Sequence, residues 1–231
     1  MFLVLLISLV NFVGDIMGHP TTVTDTSSEN EVHTYNFPFV TRSEWHARKP
    51  KMTLPLHTPV PYVVIHHSYT PPACRSIEEC ENAMRVMQSM HMDGRGWWDI
   101  GYNFAVGSEG SAYEGRGWST LGAHALHFNS VSIGICLIGD WRNELPPEDQ
   151  LKTAKALIAA GVDLGYISPT YKLLGHRQVR DTECPGDALY KEIQGWAHYS
   201  PYPGSATDLL NLPEIPEKVK DVMRGNSTYD D

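Results

Sequence analysis

The sequence has no basic run, no internal repeat and no apolar segment long enough to cross a membrane. It contains 18 Lys and Arg residues against 27 Asp and Glu, which gives a net charge of −9. Because binding to a phosphate backbone requires a basic surface, this balance argues against a nucleic-acid partner. The longest apolar block, Phe2 to Val13, is shorter than the roughly 20 residues that span a bilayer. No membrane span is therefore expected.

Three common catalytic motifs are also missing. The sequence has no HExxH helix, no GxSxG turn around a serine nucleophile and no Walker loop. These absences argue against the metalloprotease, serine-hydrolase and nucleotide-binding classes that such motifs mark. What is present is a set of polar residues at predicted strand ends and loops, where active sites are usually built.

The first residues, MFLVLLISLVNFVGDIMG, are typical of a secretory signal peptide. The position and length of the apolar block fit such a signal, with cleavage near Gly18. A membrane anchor or a buried first strand is the alternative. We predict a signal peptide over residues 1–18 and a secreted, extracellular protein.

The rest of the chain predicts one domain with a tail at each end. With 231 residues and a 42% hydrophobic fraction, the chain is long enough for one full core. Residues 19–37 are polar and lack an apolar period, which predicts a flexible segment. The domain is expected over 38–198, and the Pro-rich tail over 199–231 is expected to be mobile. That tail contains the sequon at Asn226.

Predicted strands and helices alternate along the domain. Apolar or β-branched runs predict strands, and a capping box of Ser76 and Glu79 predicts the start of a helix. This order indicates an α/β fold with a central mixed β-sheet flanked by helices. The predicted strands cover 62–66, 102–106, 132–139 and 171–175, a short partner strand lies near 111–117, and further helices cover 148–163 and the residues after an N-cap at Asp187.

The four cysteines have different surroundings in the sequence. In an oxidising compartment Cys74 and Cys80, six residues apart, can form a small-loop disulfide at the start of the helix. Cys136 lies inside the apolar run SIGICLIG and is interpreted as a buried hydrophobic residue. Cys184 has no evident partner and precedes a Pro-Gly turn.

Two histidines and Cys184 form a candidate metal site. His66 and His67 end one predicted strand, and His176 ends another. Successive strand side chains point to opposite faces, so only one of His66 and His67 is expected to bind a metal. If the two strands are neighbours, His66, His176 and Cys184 converge at one end of the sheet. Two imidazoles and a thiolate leave the fourth zinc position for water, as in catalytic sites.

The alternative to a metal site is a core histidine beside a buried thiol. The spacing between His176 and Cys184 is not diagnostic by itself. Three features favour the metal hypothesis: Cys184 lies in a turn, His66 closes an otherwise apolar strand, and Cys184 lacks an oxidation partner. On the residues alone, both interpretations stay open.

Four segments resemble the peptidoglycan recognition protein family in their order and spacing. They are VVIHHSYTP, GRGWWDIGYNFAVG, GAHALHFNSVSIGICLIGDW and YKLLGHRQVRDTECPG, within residues 38–198. The chain is most similar to catalytic insect members of the LB type. The family is similar in fold to N-acetylmuramoyl-L-alanine amidases of the amidase-2 class. The resemblance implies the same fold and the same hydrolysis of peptidoglycan.

The resemblance also implies roles for single residues. It makes His66, His176 and Cys184 the ligands of one Zn²⁺ ion per chain, and Tyr102 and Thr182 the catalytic residues beside it. Phage enzymes of this class have a lysine at the position of Thr182, so Tyr102 is the better supported of the two. A Cys74–Cys80 disulfide is implied as well. Zinc in such a site activates water for attack on an amide.

Substrate-binding positions follow from the same resemblance. Gly96-Trp97 matches the family pattern linked to meso-diaminopimelate-type peptidoglycan, where binders of the lysine type carry Asn-Phe. Arg95 or Arg116 is expected to pair with the extra carboxylate of that diamino acid, because guanidinium groups bind carboxylates in a bidentate manner. The full predicted set is His67, His91, Arg95, Gly96, Trp97, Arg116, His124 and Asn129.

Two functions on the same fold compete. One is a secreted zinc amidase that cleaves the lactyl–L-alanine bond of peptidoglycan and degrades a bacterial elicitor in innate immunity. The other is a non-catalytic receptor that binds muropeptides. Receptors in this family typically lose the cysteine at position 184, often to serine. Since this chain keeps it, we predict an enzyme, acting as a monomer on bacterial muropeptides.

Overall fold

A computed structural model describes residues 21–24 and 32–204, together with 206–211, 213, 217 and 220. The strands are β1 (Thr21–Thr24), β2 (Val32–Tyr35), β3 (Phe39–Val40), β4 (Val60–His67), β5 (Phe104–Val106), β6 (Ala112–Glu114), β7 (Ser132–Leu137) and β8 (Ile167–Gly175). The helices are α1 (Ile77–Ser89), α2 (Glu148–Asp163) and α3 (Asp187–Ile193), and a π-helical turn (Met90–Gly94) continues α1. The predicted signal peptide lies outside the described residues.

Six strands form one mixed sheet in the order β3-β6-β5-β7-β4-β8. β4 lies between β7 and β8 and is parallel to both, while β5 and β6 are antiparallel. Helices cover the sheet, so the predicted α/β class with a mixed sheet is confirmed. β1 and β2 pair separately as an antiparallel pair.

The core lies on both faces of the sheet because the apolar strands are buried on both sides. Val63 and Ile65 of β4 pack with Leu157 and Ile158 of α2 on one face. On the other face, Cys136 packs with Met84 and Met87 of α1 in a second cluster. The prediction that Cys136 is a buried hydrophobic residue agrees with this position.

The start of α1 follows its sequence signal. Ser76 is the N-cap, and its Oγ accepts a hydrogen bond from the Glu79 backbone N at 3.2 Å. Cys80 of the first turns is bonded to Cys74, so the predicted disulfide is present. Ile77, at the first helical position, is exposed and lies outside the packed face of the helix.

Some residues that the sequence assigns to the two tails pack against the domain instead. Tyr35 and Phe37, placed in a flexible segment by the sequence analysis, are buried, and Tyr35 stacks on Phe39 at 4.5 Å between ring centroids. At the other end, Gln178 Nε2 donates to the carbonyl oxygens of Ser200 and Pro203. These contacts hold Tyr35, Phe37, Ser200 and Pro203 against the domain. The sequon at Asn226 lies outside the described residues.

Two smaller boundary predictions are wrong. β8 begins at Ile167 rather than near residue 171, because Val60 pairs with Ile167 beyond an irregularity in the register. α3 begins at Asp187 itself, with Gly186 as its N-cap. Neither difference moves the carboxyl end of β8 or the loop that precedes α3.

Candidate metal centre and substrate cavity

The register of the central strands places two histidines side by side. Ile65 of β4 pairs with Gly175 of β8 in a parallel arrangement. The next residue along β4 is His66, and the residue that directly follows β8 is His176. Their ring centroids lie 4.3 Å apart. The neighbouring strands on which the metal hypothesis depends are thus present in the sheet.

Cys184 reaches this pair from the loop between β8 and α3. Its Sγ lies 3.8 Å from Nδ1 of His66 and accepts a hydrogen bond from the His67 backbone N at 3.4 Å. The loop is held back against the sheet because the Arg177 backbone N donates to the Cys184 carbonyl at 2.9 Å. One ligand atom from each of His66, His176 and Cys184 lies within 4.8 Å of the other two.

The electrostatics of the three residues suit a cation. Burial, with the neighbouring histidines, holds the pKa of His66 well below its ordinary value, and burial lowers the pKa of His176 to about 4. Both imidazoles are therefore neutral at pH 7 and have a lone pair to donate. Burial raises the pKa of the Cys184 thiol to about 12, so a thiolate at this position requires a positive charge beside it.

One further observation tests whether the residues fit a zinc ion. Nε2 of His176 is buried and has no hydrogen-bond partner within the described part of the chain. A buried nitrogen without a partner costs free energy unless something else satisfies it. Two imidazole nitrogens and a thiolate are the donor set that zinc prefers. The residues therefore fit zinc, and His66, His176 and Cys184 would hold it.

His67 occupies a different place from His66, as strand alternation predicts. Its Nδ1 accepts a hydrogen bond from the Trp141 backbone N at 3.3 Å and lies 4.0 Å from Asp140. Burial lowers the pKa of His67 to about 4. His67 lines the cavity but does not join the ligand set.

A cavity of about 650 Å³ opens beside the three residues. Tyr102 lines it, with its ring centroid 5.2 Å from that of His66. Burial raises the pKa of Tyr102 well above its ordinary value, so the hydroxyl keeps its proton and can donate a hydrogen bond. Thr182 lines the cavity as well, and its Oγ1 accepts from the Cys184 backbone N at 3.2 Å.

Most of the predicted substrate-binding residues line the same cavity. His91 packs against Trp97 with 4.9 Å between ring centroids, and the guanidinium of Arg95 lies 4.9 Å from the Trp97 ring. Gly96 has a φ of +73°, a conformation that favours glycine between these two side chains. The predicted residues that line the cavity are His67, His91, Arg95, Trp97 and His124.

Gly96, Arg116 and Asn129 are not among the residues that line the cavity, so their part in substrate binding stays a prediction. Arg116 is buried, and its guanidinium donates to the carbonyl oxygens of Ile100 and Leu121. The Asn129 side chain accepts hydrogen bonds from the backbone N of His124 and of Ala125, both at 2.8 Å. Both side chains are engaged by backbone groups, which the sequence pattern does not reveal.

Several residues that line the cavity are not marked by any motif in the sequence. Arg180 is exposed at the cavity, while Arg142 pairs with Asp140 at 2.7 Å and lies 4.7 Å from the Tyr69 ring. Their positions after the carboxyl ends of β4, β7 and β8 are a usable signal, since those ends meet at one edge of the sheet. The missed residues are Ser68, Tyr69, Thr70, Met87, Met90, Ala123, Arg142, Arg180, Asp181 and Glu183.

A family model for N-acetylmuramoyl-L-alanine amidases of the amidase-2 class matches residues 56–187, and the chain belongs to that family. It is 56% identical over 161 residues to peptidoglycan-recognition protein LB of Drosophila melanogaster, which covers 70% of this chain and 69% of that protein. Within the family, the chain therefore groups with the peptidoglycan recognition proteins.

Solved structures agree with this assignment. Wild-type Drosophila PGRP-LB matches with a TM-score of 0.69 at 56% identity and covers 70% of this chain and 95% of that one. A complex of peptidoglycan recognition protein-LE with tracheal cytotoxin, described as monomeric diaminopimelic acid-type peptidoglycan, matches with a TM-score of 0.70 at 46% identity. It covers 72% of this chain and 98% of that chain.

Among the residues that the structure describes, no helix combines the length and the apolar character that a bilayer crossing needs.

Proposed function

We propose that this chain is a zinc-dependent N-acetylmuramoyl-L-alanine amidase that cleaves the lactyl–L-alanine amide of bacterial peptidoglycan. The observation that carries the proposal is the convergence of His66, His176 and Cys184 at one end of the cavity. Membership of the amidase family supports the reaction class. A non-catalytic receptor would not need the cysteine, which is the residue that completes the ligand set.

The chain's own residues have distinct parts in this reaction. Zinc held at the three ligands supplies the Lewis acidity that activates water for attack on an amide. The protonated hydroxyl of Tyr102 donates a hydrogen bond to the amide oxygen as negative charge develops on it. The side chain of Thr182 holds the loop that carries Cys184 and faces the substrate from the same side.

The preferred substrate is peptidoglycan of the meso-diaminopimelate type. Arg95 is exposed beside Trp97, and it makes no ion pair within the described residues, so its guanidinium is available for a substrate carboxylate. The relative solved with a diaminopimelic acid-type muropeptide supports this choice. Secretion through the N-terminal signal, action as a monomer, and a role in innate immunity by degrading a bacterial elicitor complete the proposal.

Measurement of zinc content and of stem-peptide release tests the proposal. Purified wild-type protein is expected to contain about one zinc per chain and to release stem peptide faster from diaminopimelate-type than from lysine-type muropeptides. Cys184→Ser removes the thiolate and is expected to lose both zinc and cleavage. Cys136→Ala is the matched control for zinc content, because Cys136 is the other free cysteine among the described residues and is no part of the candidate ligand set. It does not control for cleavage, since its side chain contacts Tyr102.

Two results would contradict the proposal. Wild-type protein that cleaves muropeptides fully after complete removal of zinc would exclude a zinc mechanism. A Cys184→Ser variant that keeps wild-type zinc content would exclude Cys184 as a ligand. Equal cleavage of the two muropeptide types would leave the reaction in place and refute only the substrate preference.

A further inference from the structure

His124 lines the cavity next to His66 and takes no part in the chemical step proposed above. Its Nδ1 lies 3.0 Å from Nε2 of His66, and the two rings meet edge to face with centroids 5.0 Å apart. His124 is only 7% exposed, and the contact with His66 is buried. The position is thus defined by its contact with a metal-ligand residue rather than by access to solvent.

The direction of this hydrogen bond follows from the ligand geometry. The nitrogen of His66 that faces Cys184 is Nδ1, at 3.8 Å from Sγ. A metal ligand needs its lone pair, so Nδ1 of His66 must be without a proton, and the proton of that ring must be on Nε2. Nδ1 of His124 then has to be the acceptor, and His124 carries its own proton on Nε2, which is buried and has no hydrogen-bond partner among the described residues.

The residues around His124 leave room for its ring and fix its backbone. Gly134 of β7 and Gly122 leave room for the ring, since a Cβ at either position would overlap it. The backbone N of His124 and that of Ala125 are both held by the Asn129 Oδ1 at 2.8 Å. Asn129 thus orients the backbone of His124, and His124 in turn contacts His66.

We infer that His124 is a positioning residue that accepts the Nε2 proton of His66 and so presents Nδ1 of His66 to the zinc ion. A ligand histidine commonly donates its second N–H to a partner that fixes its tautomer and ring orientation. A carboxylate in that place would add a negative charge. The neutral imidazole orients His66 without adding one. This inference rests on the proposed zinc function.

Zinc affinity of the metal-free protein, measured by competition with a chelator of known affinity, tests the inference without an activity assay. His124→Leu removes the acceptor and is expected to weaken zinc binding about 10–100-fold. His124→Asn places an amide oxygen where Nδ1 lies and is expected to recover most of that loss. His91→Leu is the matched control, because His91 is also buried at the cavity but accepts from the Gly101 backbone N at 3.0 Å.

The outcomes separate this inference from the proposed function. Wild-type zinc affinity in His124→Leu would overturn it, as would an equal loss in the Leu and Asn variants or in the His91 control. In each of those cases zinc-dependent cleavage by the wild type still stands. If the wild type itself bound no zinc, the proposed function would fail first.

A second measurement does not depend on whether the variants fold. Long-range ¹⁵N–¹H NMR of the zinc-loaded wild-type protein reports which ring nitrogen of each histidine carries the proton. The inference expects the proton on Nε2 of both His66 and His124. A proton on Nδ1 of His124 would reverse the hydrogen bond and refute the assignment.

Discussion

At the residue scale, the chemistry of the centre depends on how burial changes the protonation of three side chains. His66 and His176 are kept neutral because charged imidazolium is disfavoured where water is excluded. The same burial keeps Cys184 protonated until a cation is present. The metal-free centre therefore holds one proton that a bound cation must displace.

Zinc binding is accordingly expected to release about one proton per ion near pH 6, from the thiol of Cys184, because a zinc-bound water with a pKa of about 7 is still largely protonated there. The histidines contribute none, because they are already neutral at that pH. Calorimetric titration in two buffers of different ionisation enthalpy gives the number of protons released. Release of two or more protons would show that a histidine is charged in the metal-free protein. Release of none would show that Cys184 is already a thiolate.

At the scale of elements, α2 shows how packing overrides helix propensity. Gly161 lies within α2 and faces the sheet. A Cβ there would lie 2.6 Å from Cδ1 of Ile167 and 2.7 Å from the Trp118 ring. Both neighbours are buried in the core, so neither has free space into which it can move.

Gly161→Ala is therefore expected to lower the free energy of unfolding by about 1–3 kcal/mol. Helix propensity alone predicts the opposite sign, a gain of about 1 kcal/mol. Urea unfolding measures the difference. Ala159→Gly, at an exposed position of the same helix, is the control and should cost only the propensity term. A stabilised Gly161→Ala variant would show that the Trp118 contact relaxes at little cost.

The elements also show where sequence patterns suffice. The Ser76–Glu79 signal places the start of α1 correctly, and the apolar run SIGICLIG marks β7, because both depend on local interactions. The pattern fails for Tyr35, whose burial depends on Phe39 and on Trp118 far along the chain. Such contacts are absent from a local window of sequence.

At the scale of the whole molecule, the buried histidines make the metal-free protein sensitive to acid. Burial lowers the pKa of His67, His91 and His176 to about 4 and that of His124 to about 3. The ordinary value in the unfolded chain is 6.5. Between these values the unfolded state binds more protons than the folded state, so stability decreases as the pH falls.

These histidines are thus expected to leave the free energy of unfolding of the metal-free protein unchanged above about pH 6.5. Below that pH they are expected to lower it steadily towards pH 4. Urea unfolding across this pH range measures the change. His91→Phe removes one of the titrating groups away from the ligand set and should reduce the slope. A pH-independent stability between 7 and 4 would show that these histidines titrate alike in both states.

The sequence by itself determined the alternation of strands and helices and the family, and it singled out the three residues of the candidate metal site, because these depend on local periodicity and on motifs. Only the tertiary structure decided that Ile65 pairs with Gly175, which sets His66 beside His176. It also decided that the side chains of Arg116 and Asn129 bind backbone groups and that His124 contacts His66. Register and side-chain direction between distant segments result from packing of the whole chain, so no single motif contains them.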